Sequence, residues 1–224
     1  MKIKIITAVF LTLTFIGYSQ GFNPFDAGNS RNQIQTKSSI TNDLEGSPYF
    51  EDQFSPGIIQ EEGVKNQTAY IRYNVVDDQI EVKVGPSQTE IYILPRQQKF
   101  TYKLKDYYYA LGSYKVKDVG VINGFIINYY SSDNIIFIAK PSSKVIPGQI
   151  AKTGYEKAKP ATLDIDVNYY IGQPGSTFEE VRLKEKDFKK LLGDKKGMKE
   201  YFDNNRIKDI EDVVNMLKYY DTIK

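Results

Sequence analysis

The sequence predicts an α+β protein in which a mainly antiparallel, barrel-like β domain is followed by two or three short amphipathic helices. Three features predict this fold. Runs of alternating apolar and polar residues, the pattern of half-buried strands, recur from residue 57 to about residue 181. The loops between these runs are too short for crossover helices, which favours antiparallel pairing. From about residue 182 onward, the apolar residues follow the spacing of helices.

Residues 1–19 have the composition of a cleavable secretory signal peptide. Lys2 and Lys4 precede an uncharged, mostly apolar run that is too short to span a bilayer. Gly17 and Ser19 are small residues in the positions that precede a signal-peptide cleavage site. We therefore expect an exported protein of the periplasm, with an extracellular or outer-membrane-associated location as the alternatives.

The exported chain is expected to have neither a transmembrane segment nor a lipid anchor. No later apolar run approaches membrane-spanning length, and without any cysteine the chain has no lipoprotein acylation site and no disulfide framework. Removing Lys2 and Lys4 with the leader leaves 28 basic and 28 acidic residues. A neutral chain has no general attraction for nucleic acids, so none is predicted as a partner.

Residues 20–46 are rich in Asn, Gln, Ser and Thr without an apolar period, which predicts a flexible polar tether. The antiparallel β domain is expected to occupy residues 47–181. The runs 121–130 and 135–140 are almost continuously apolar, which indicates a central hairpin covered on both faces. The predicted strands are 69–75, 80–84, 90–94, 99–104, 107–112, 121–130, 135–140 and 163–171.

Residues 182–224 are expected to form a helical tail packed on the β domain. Asp209 is placed to cap its last helix, and Gly193 and Asn204 mark the breaks between helices. Short helices need a partner surface for their apolar side, and the β domain is the nearest one. The apolar residues at helical spacing are Phe188, Leu191, Leu192, Met198, Tyr201, Phe202, Ile210, Val213, Val214, Leu217 and Tyr220.

The chain contains no histidine, cysteine or tryptophan. This composition excludes Ser-His-Asp and Cys-His nucleophiles within one chain, thiol redox chemistry and the usual zinc sites. No cofactor-binding motif occurs, so no cofactor is predicted. Enzymatic activity stays open, although the composition argues against it.

Asp164 and Asp166 are the candidate catalytic residues. Two apart on a predicted strand, they share one face and could act as general acid and base on a glycosidic bond. The simpler interpretation follows from their neighbours. Leu163, Ile165 and Val167 take the core face, which leaves the two carboxylates on the solvated side of the strand.

The same stretch matches the start of the calcium-binding loop pattern, with Asp164, Asp166 and Asn168 at alternate positions. Such a loop then requires a glycine and, six residues later, a carboxylate. Here those positions hold Tyr169 and Gly175, so no metal site is predicted.

Tyrosine is abundant, with 18 residues, several of them adjacent in the predicted strands. The outward rings Tyr108, Tyr130 and Tyr170 could form a stacking platform for a sugar or a peptide. Because consecutive strand residues alternate between faces, each group is expected to place one ring in the core and one at the rim. Packing is the simpler interpretation, since tyrosine is favoured in strands.

Three blocks of the chain form a recognisable pattern. The first block runs from Ser47-Pro48-Tyr49-Phe50 through Ile71-Arg72-Tyr73-Asn74 to Asp77-x-x-Ile80-Glu81. The second runs from Lys157-Ala158-Lys159-Pro160-Ala161 to Tyr169-Tyr170. The third runs from Phe188-x-x-Leu191-Leu192 to Tyr219-Tyr220. The pattern covers most of residues 46–222 and resembles a group of secreted proteins of Bacteroidota-type bacteria. The resemblance implies a Gram-negative envelope setting and a shared fold. It implies no activity and transfers no functional residue.

Three functions are compatible with these features. The leading hypothesis is a non-catalytic cell-envelope module that binds an envelope protein or glycan, or has a structural role. The alternatives are a glycan hydrolase that uses Asp164 and Asp166, and a carrier with an internal cavity for a small apolar ligand. Converging carboxylates in a cleft would favour the hydrolase, and a large apolar cavity would favour the carrier. A solid core with an exposed tyrosine patch would favour the binding module.

Overall fold

A computed structural model describes residues 35–36, 45–149 and 159–223 of the chain. The predicted signal peptide, residues 1–19, lies outside the described residues. Most of the predicted tether, residues 20–46, lies outside them as well.

Within the described residues the chain forms eleven strands and three helices. The strands are β1 (Gln35–Thr36), β2 (Ser55–Glu61), β3 (Gln67–Asn74), β4 (Gln79–Lys83), β5 (Tyr92–Ile93), β6 (Phe100–Lys103), β7 (Tyr108–Val116), β8 (Gly120–Ser131), β9 (Ile136–Ile146), β10 (Thr162–Gly172) and β11 (Glu179–Val181). The helices are α1 (Glu185–Leu192), α2 (Met198–Asn204) and α3 (Ile210–Thr222). This confirms the predicted α+β class with short helices at the end of the chain.

The strands belong to one antiparallel sheet in the order β1-β5-β4-β3-β2-β6-β7-β8-β9-β10-β11. Among the described residues the sheet is open, because its edge strands β1 and β11 each pair on one side only, so the prediction of a barrel-like domain is corrected. The segment 45–50 makes two isolated bridges to this sheet. Glu45 pairs with Thr162 in β10, and Tyr49 pairs with Asn74 in β3. The segment thus connects β10 to β3 through single bridges, without forming a strand of its own.

The sheet curls so that its inner face encloses the main hydrophobic core. The ring centroids of Tyr73 and Tyr102 lie 6.1 and 5.8 Å from that of Phe125. All three rings are fully buried, so side chains fill the inside of the curl. The core residues from strands β2 to β9 are Ile59, Ala69, Ile71, Tyr73, Ile80, Val82, Tyr102, Tyr109, Phe125, Ile127 and Ala139.

Asp78, in the turn between β3 and β4, joins this hairpin to the opposite side of the curl. Its φ of 49° lies in the left-handed region, which aspartate tolerates. Its carboxylate accepts hydrogen bonds from the Tyr73 hydroxyl at 2.5 Å and from Lys140 Nζ, on β9, at 2.9 Å. Arg96 lies 2.6 Å from the second carboxylate oxygen. We call these four residues, together with the backbone of Phe125, the Asp78 cluster.

The Asp78 cluster also supplies hydrogen-bond partners to the backbone of β8, at the point where β8 stops pairing with β9. That pairing stops at Ile127 opposite Ala139, although both strands continue. Beyond this point the Phe125 N–H donates to the Asp78 carboxylate at 3.2 Å, and Lys140 Nζ donates to the Phe125 carbonyl at 3.0 Å. Two side chains therefore replace a neighbouring strand, and the buried backbone groups keep their partners.

The helices pack against the inner face beside β9, β10 and β11. Phe137 and Ile171 of the sheet contact a set of helical residues: Phe188, Leu192, Met198, Phe202, Val213, Met216 and Leu217. The predicted cap is confirmed, since the Asp209 side chain accepts a hydrogen bond from the backbone N–H of Asp212. In the described part of the chain, no helix is long and apolar enough to cross a membrane.

The outer face of β9 and β10 is covered by the end of the β7–β8 hairpin. Val116, from this hairpin, packs with Ile138, Tyr170 and Phe178 in a third apolar cluster. A parallel bridge joins Val116 to Phe178, which follows β10. Because β8 and β9 bury side chains on both faces, the prediction of a covered central hairpin is confirmed.

Gly124→Ala should destabilise the fold through the Asp78 cluster. Gly124 has a φ of +104°, and a Cβ at this position would overlap the Asp78 carboxylate. We expect a loss of about 2–4 kcal/mol in the free energy of unfolding, from backbone strain and displacement of a charge-assisted contact. Gly175→Ala is the matched control, because Gly175 has a φ of +75° with nothing within 4 Å of the added Cβ. Equal losses in the two variants, measured by urea unfolding, would mean that the carboxylate is not involved.

Asp78 should also make stability depend on pH in the acid range. Burial alone would raise the pKa of Asp78. The hydrogen bonds from Tyr73 and Lys140 and the positive charges of Lys140 and Arg96 outweigh this effect of burial, so the pKa of Asp78 lies below 3.8. A lowered folded-state pKa gives stability that is present above the unfolded pKa, about 3.9, and is lost as the pH falls through the folded value. The free energy of unfolding should therefore fall less between pH 5 and pH 2 in Asp78→Asn than in the wild type.

The control for this pH series is Asp133→Asn, which removes an exposed carboxylate from the β8–β9 turn. Its free energy of unfolding should follow the wild-type curve. If Asp78→Asn followed that curve as well, Asp78 would not contribute to the acid sensitivity.

Candidate functional site

The predicted carboxylate pair lies on an open strand surface. Lys144, on β9, bridges the two side chains, with Nζ 3.1 Å from Asp164 and 3.2 Å from Asp166. The hydrogen bonds that Lys144 donates to both carboxylates raise the pKa of Lys144. The side chains of Asp164 and Asp166 are 48% and 60% exposed. Two exposed carboxylates that share one ammonium group resemble a solvated strand face and lack the enclosure of a catalytic cleft.

The three predicted platform rings do not share a surface. Tyr108 is half-buried on β7, three strands away from Tyr170 on β10. Tyr170 does lie on the outer face, but it is only 3% exposed because Phe178 packs on it. Tyr130 lies beside the helices, and its hydroxyl donates to Asp221 of α3 at 2.5 Å.

A β-bulge explains the position of Tyr130. The register between β8 and β9 shifts by one residue between Asn128 and Tyr130, so Tyr129 is the extra residue. Tyr130 is therefore opposite Phe137, an inner-face residue, although simple alternation predicts an outward ring. A shift of one residue reverses the face of every later side chain in a strand, and the sequence pattern alone does not reveal it.

The structure instead brings together the sequence neighbours of the predicted rings. Tyr107 lies 5.4 Å from Tyr109 and 5.5 Å from Tyr129, between ring centroids. Tyr129 lies 6.4 Å from Tyr169. Tyr109 is buried and the other three rings are half-buried, at the rim of the inner face. We call Tyr107, Tyr109, Tyr129 and Tyr169 the tyrosine cluster.

The hydroxyls of the tyrosine cluster form a short chain that ends on a carboxylate. The Tyr107 hydroxyl donates to Glu51 Oε1 at 2.9 Å and lies 3.4 Å from the Tyr109 hydroxyl. Because Tyr107 uses its proton on Glu51, Tyr109 is the donor in the second contact. Among the described residues, the hydroxyls of Tyr129 and Tyr169 have no hydrogen-bond partner.

Burial raises the pKa of all four hydroxyls above the usual value of 10.0. At neutral pH the hydroxyls are therefore protonated and can donate hydrogen bonds, but they are poor nucleophiles. The cluster thus offers half-exposed ring faces, neutral donors and one exposed carboxylate, Glu51. This combination suits the binding of a polar ligand by stacking and hydrogen bonding.

A buried ion pair holds the segment that carries Glu51. Arg72 lies 2.7 Å from Glu81, whose side chain is fully buried. The Arg72 guanidinium stacks on the Tyr49 ring at 3.4 Å and donates to the Asp52 carbonyl at 3.0 Å. Arg72 therefore fixes the chain on both sides of Glu51, and it does so from the outer face of β3.

The described residues contain no group of three or more carboxylates placed to hold a metal ion. Comparison with known proteins found no matching family model, no significantly similar curated protein and no significantly similar solved structure. The functional conclusion therefore rests on the geometry and chemistry of the site.

The two ionic sites should respond very differently to neutralisation. Glu81→Gln leaves the Arg72 guanidinium without its buried partner, and we expect the free energy of unfolding to fall by about 3–5 kcal/mol. Asp164→Asn changes an exposed carboxylate and should leave the urea midpoint unchanged. Unfolding followed by circular dichroism distinguishes the two outcomes. A large loss in Asp164→Asn would assign a structural role to its contact with Lys144.

Proposed function

We propose that the mature chain is an exported, non-catalytic binding module of the bacterial cell envelope, and that its ligand contacts the tyrosine cluster and Glu51. The observation that supports this proposal is the group of half-exposed rings at the rim of an otherwise filled inner face. Export and the envelope location rest on the leader pattern of residues 1–19.

The chemistry of the cluster favours a polar, uncharged ligand. Phe137 stacks on one face of Tyr169, and the half-buried rings of Tyr129 and Tyr169 offer their remaining exposed area to a ligand. Their hydroxyls make no hydrogen bond to the described residues and can bond to a ligand. Glu51 can accept a hydrogen bond from a ligand hydroxyl or amide, in addition to those it receives from Tyr107 and from the Ser55 hydroxyl. A glycan of the envelope offers hydroxyl groups and apolar C–H faces, and it is the ligand class that fits best.

The same contacts argue against hydrolysis. Both glycosidase mechanisms require a protonated carboxylic acid beside a second carboxylate. Among the described residues, Glu51 is the one carboxylate hydrogen-bonded to the tyrosine cluster, and the tyrosine hydroxyls around it stay protonated. The inner face offers a carrier little room, because Tyr73, Tyr102 and Phe125 fill it.

Co-sedimentation with purified peptidoglycan sacculi, with the chain from Gln20 onward, tests the proposal. We expect binding that Tyr129→Ala weakens by about tenfold, through loss of stacking. Tyr129→Phe keeps the ring and should retain most of the affinity, whereas Glu51→Gln should weaken it. Lys144→Gln, far from the cluster on an exposed strand, is the control for nonspecific charge effects.

If Tyr129→Ala and Glu51→Gln both sedimented like the wild type, the tyrosine cluster would not be the binding site. Binding to outer-membrane vesicles in place of sacculi would identify an outer-membrane component, and not peptidoglycan, as the ligand. Release of sugar fragments from the sacculi would contradict the non-catalytic assignment.

A further inference from the structure

A second candidate site lies on the outer face of the sheet. A groove of about 550 Å³ runs across β2, β3 and the end of β6. Ile58 is in register with both Thr68 and Lys103, which places all three in one row. The groove is lined by Pro56, Gly57, Ile58, Thr68, Ala69, Tyr70, Val84, Lys103, Leu104 and Lys105.

The groove lies on the opposite face from the tyrosine cluster. Tyr102 and Ile59 point into the inner core, so their neighbours Lys103 and Ile58 point outward. The two sites are therefore separated by the sheet itself, and a substitution in one leaves the side chains of the other in place.

The charge of the groove is of one sign. Its lining includes two lysines and no carboxylate. Lys103 forms no ion pair or hydrogen bond with the described residues. Lys105 is 91% exposed and forms a long ion pair with Asp106, at 4.0 Å. By contrast, the nearby Lys99 is paired with a carboxylate at 2.6 Å. One lysine without an ion pair among the described residues, beside a second whose ion pair is long and exposed, leaves positive charge at the rim of the groove and favours an anionic ligand.

The rest of the lining is mostly apolar, with Thr68 as its uncharged polar residue beside the amphipathic Tyr70. Ile58 lies at the centre of the groove, and Tyr70 and Val84 belong to the same lining on the β3 and β4 side. The strands approach each other closely here, because a Cβ on Gly57 would lie 2.8 Å from the Lys103 carbonyl oxygen. A volume of this size falls in the range of small-molecule sites, roughly 300–1,000 Å³.

We propose that this groove binds an amphipathic anion, with the charged head between Lys103 and Lys105 and the apolar tail along Ile58 and Tyr70. A single-chain lipid with a phosphate head has this chemistry. The site is independent of the tyrosine cluster, so it can fail while the proposed function holds, and the reverse is also true.

The test is calorimetric titration of the chain from Gln20 onward with dodecyl phosphate, below its critical micelle concentration. We expect a dissociation constant on the order of 10–100 μM for a ligand of this size. The double variant Lys103→Gln/Lys105→Gln should weaken binding by at least about fivefold, through loss of charge-assisted contacts. The double variant Lys117→Gln/Lys144→Gln removes the same charge elsewhere and should bind like the wild type.

Two further ligands test the contributions of the charged head and the apolar tail separately. Inorganic phosphate carries the head alone and dodecyl maltoside carries the tail without charge, and each should bind at least about tenfold more weakly than dodecyl phosphate. Equal binding of either ligand would overturn the amphipathic assignment. No heat of binding for dodecyl phosphate, or equal affinity in both double variants, would overturn the site. Tyr129→Ala should leave all of these values unchanged.

Discussion

The curled shape of the sheet depends on the contacts of one carboxylate, that of Asp78. This residue lies in a hairpin turn, yet it binds Lys140, which is 62 residues away and five positions distant in the sheet order. Antiparallel sheets twist, but twist alone does not hold their far strands together. Here charge-assisted hydrogen bonds, the strongest class in proteins, join the β3–β4 turn to β8 and β9. The inner core is enclosed because that turn stays in place.

The tyrosine cluster depends on the same curl. Its rings come from β7 and the residue before it, from β8 and from β10, and the carboxylate that Tyr107 contacts comes from the segment before β2. Arg72 and Glu81 hold that segment from the outer face, while the Asp78 cluster holds the sheet beneath it. The two faces consequently differ in chemistry. The inner rim offers neutral donors and aromatic rings, and the outer groove offers two lysines and no carboxylate in its lining.

Much of the fold could be predicted because it depends on neighbours in the sequence. The alternating runs 69–75 and 80–84 became β3 and β4, and the Asp209 cap formed as expected. β2 had no counterpart among the predicted strands, since Pro56 and Gly57 are residues that usually mark turns. The strand order and the open edges were also beyond prediction, because they depend on contacts between distant segments.

The sequence by itself determined the class of the fold, the strand and helix periods and the chemistry that the chain lacks. These properties follow from composition and from contacts a few residues apart. Only the tertiary structure decided which rings meet. One bulge turned Tyr130 inward, the β7–β8 hairpin covered Tyr170, and the curl gathered Tyr107, Tyr129 and Tyr169. Alternation along a strand assigns a side chain to a face, but the register and the packing of distant strands decide whether that face is open.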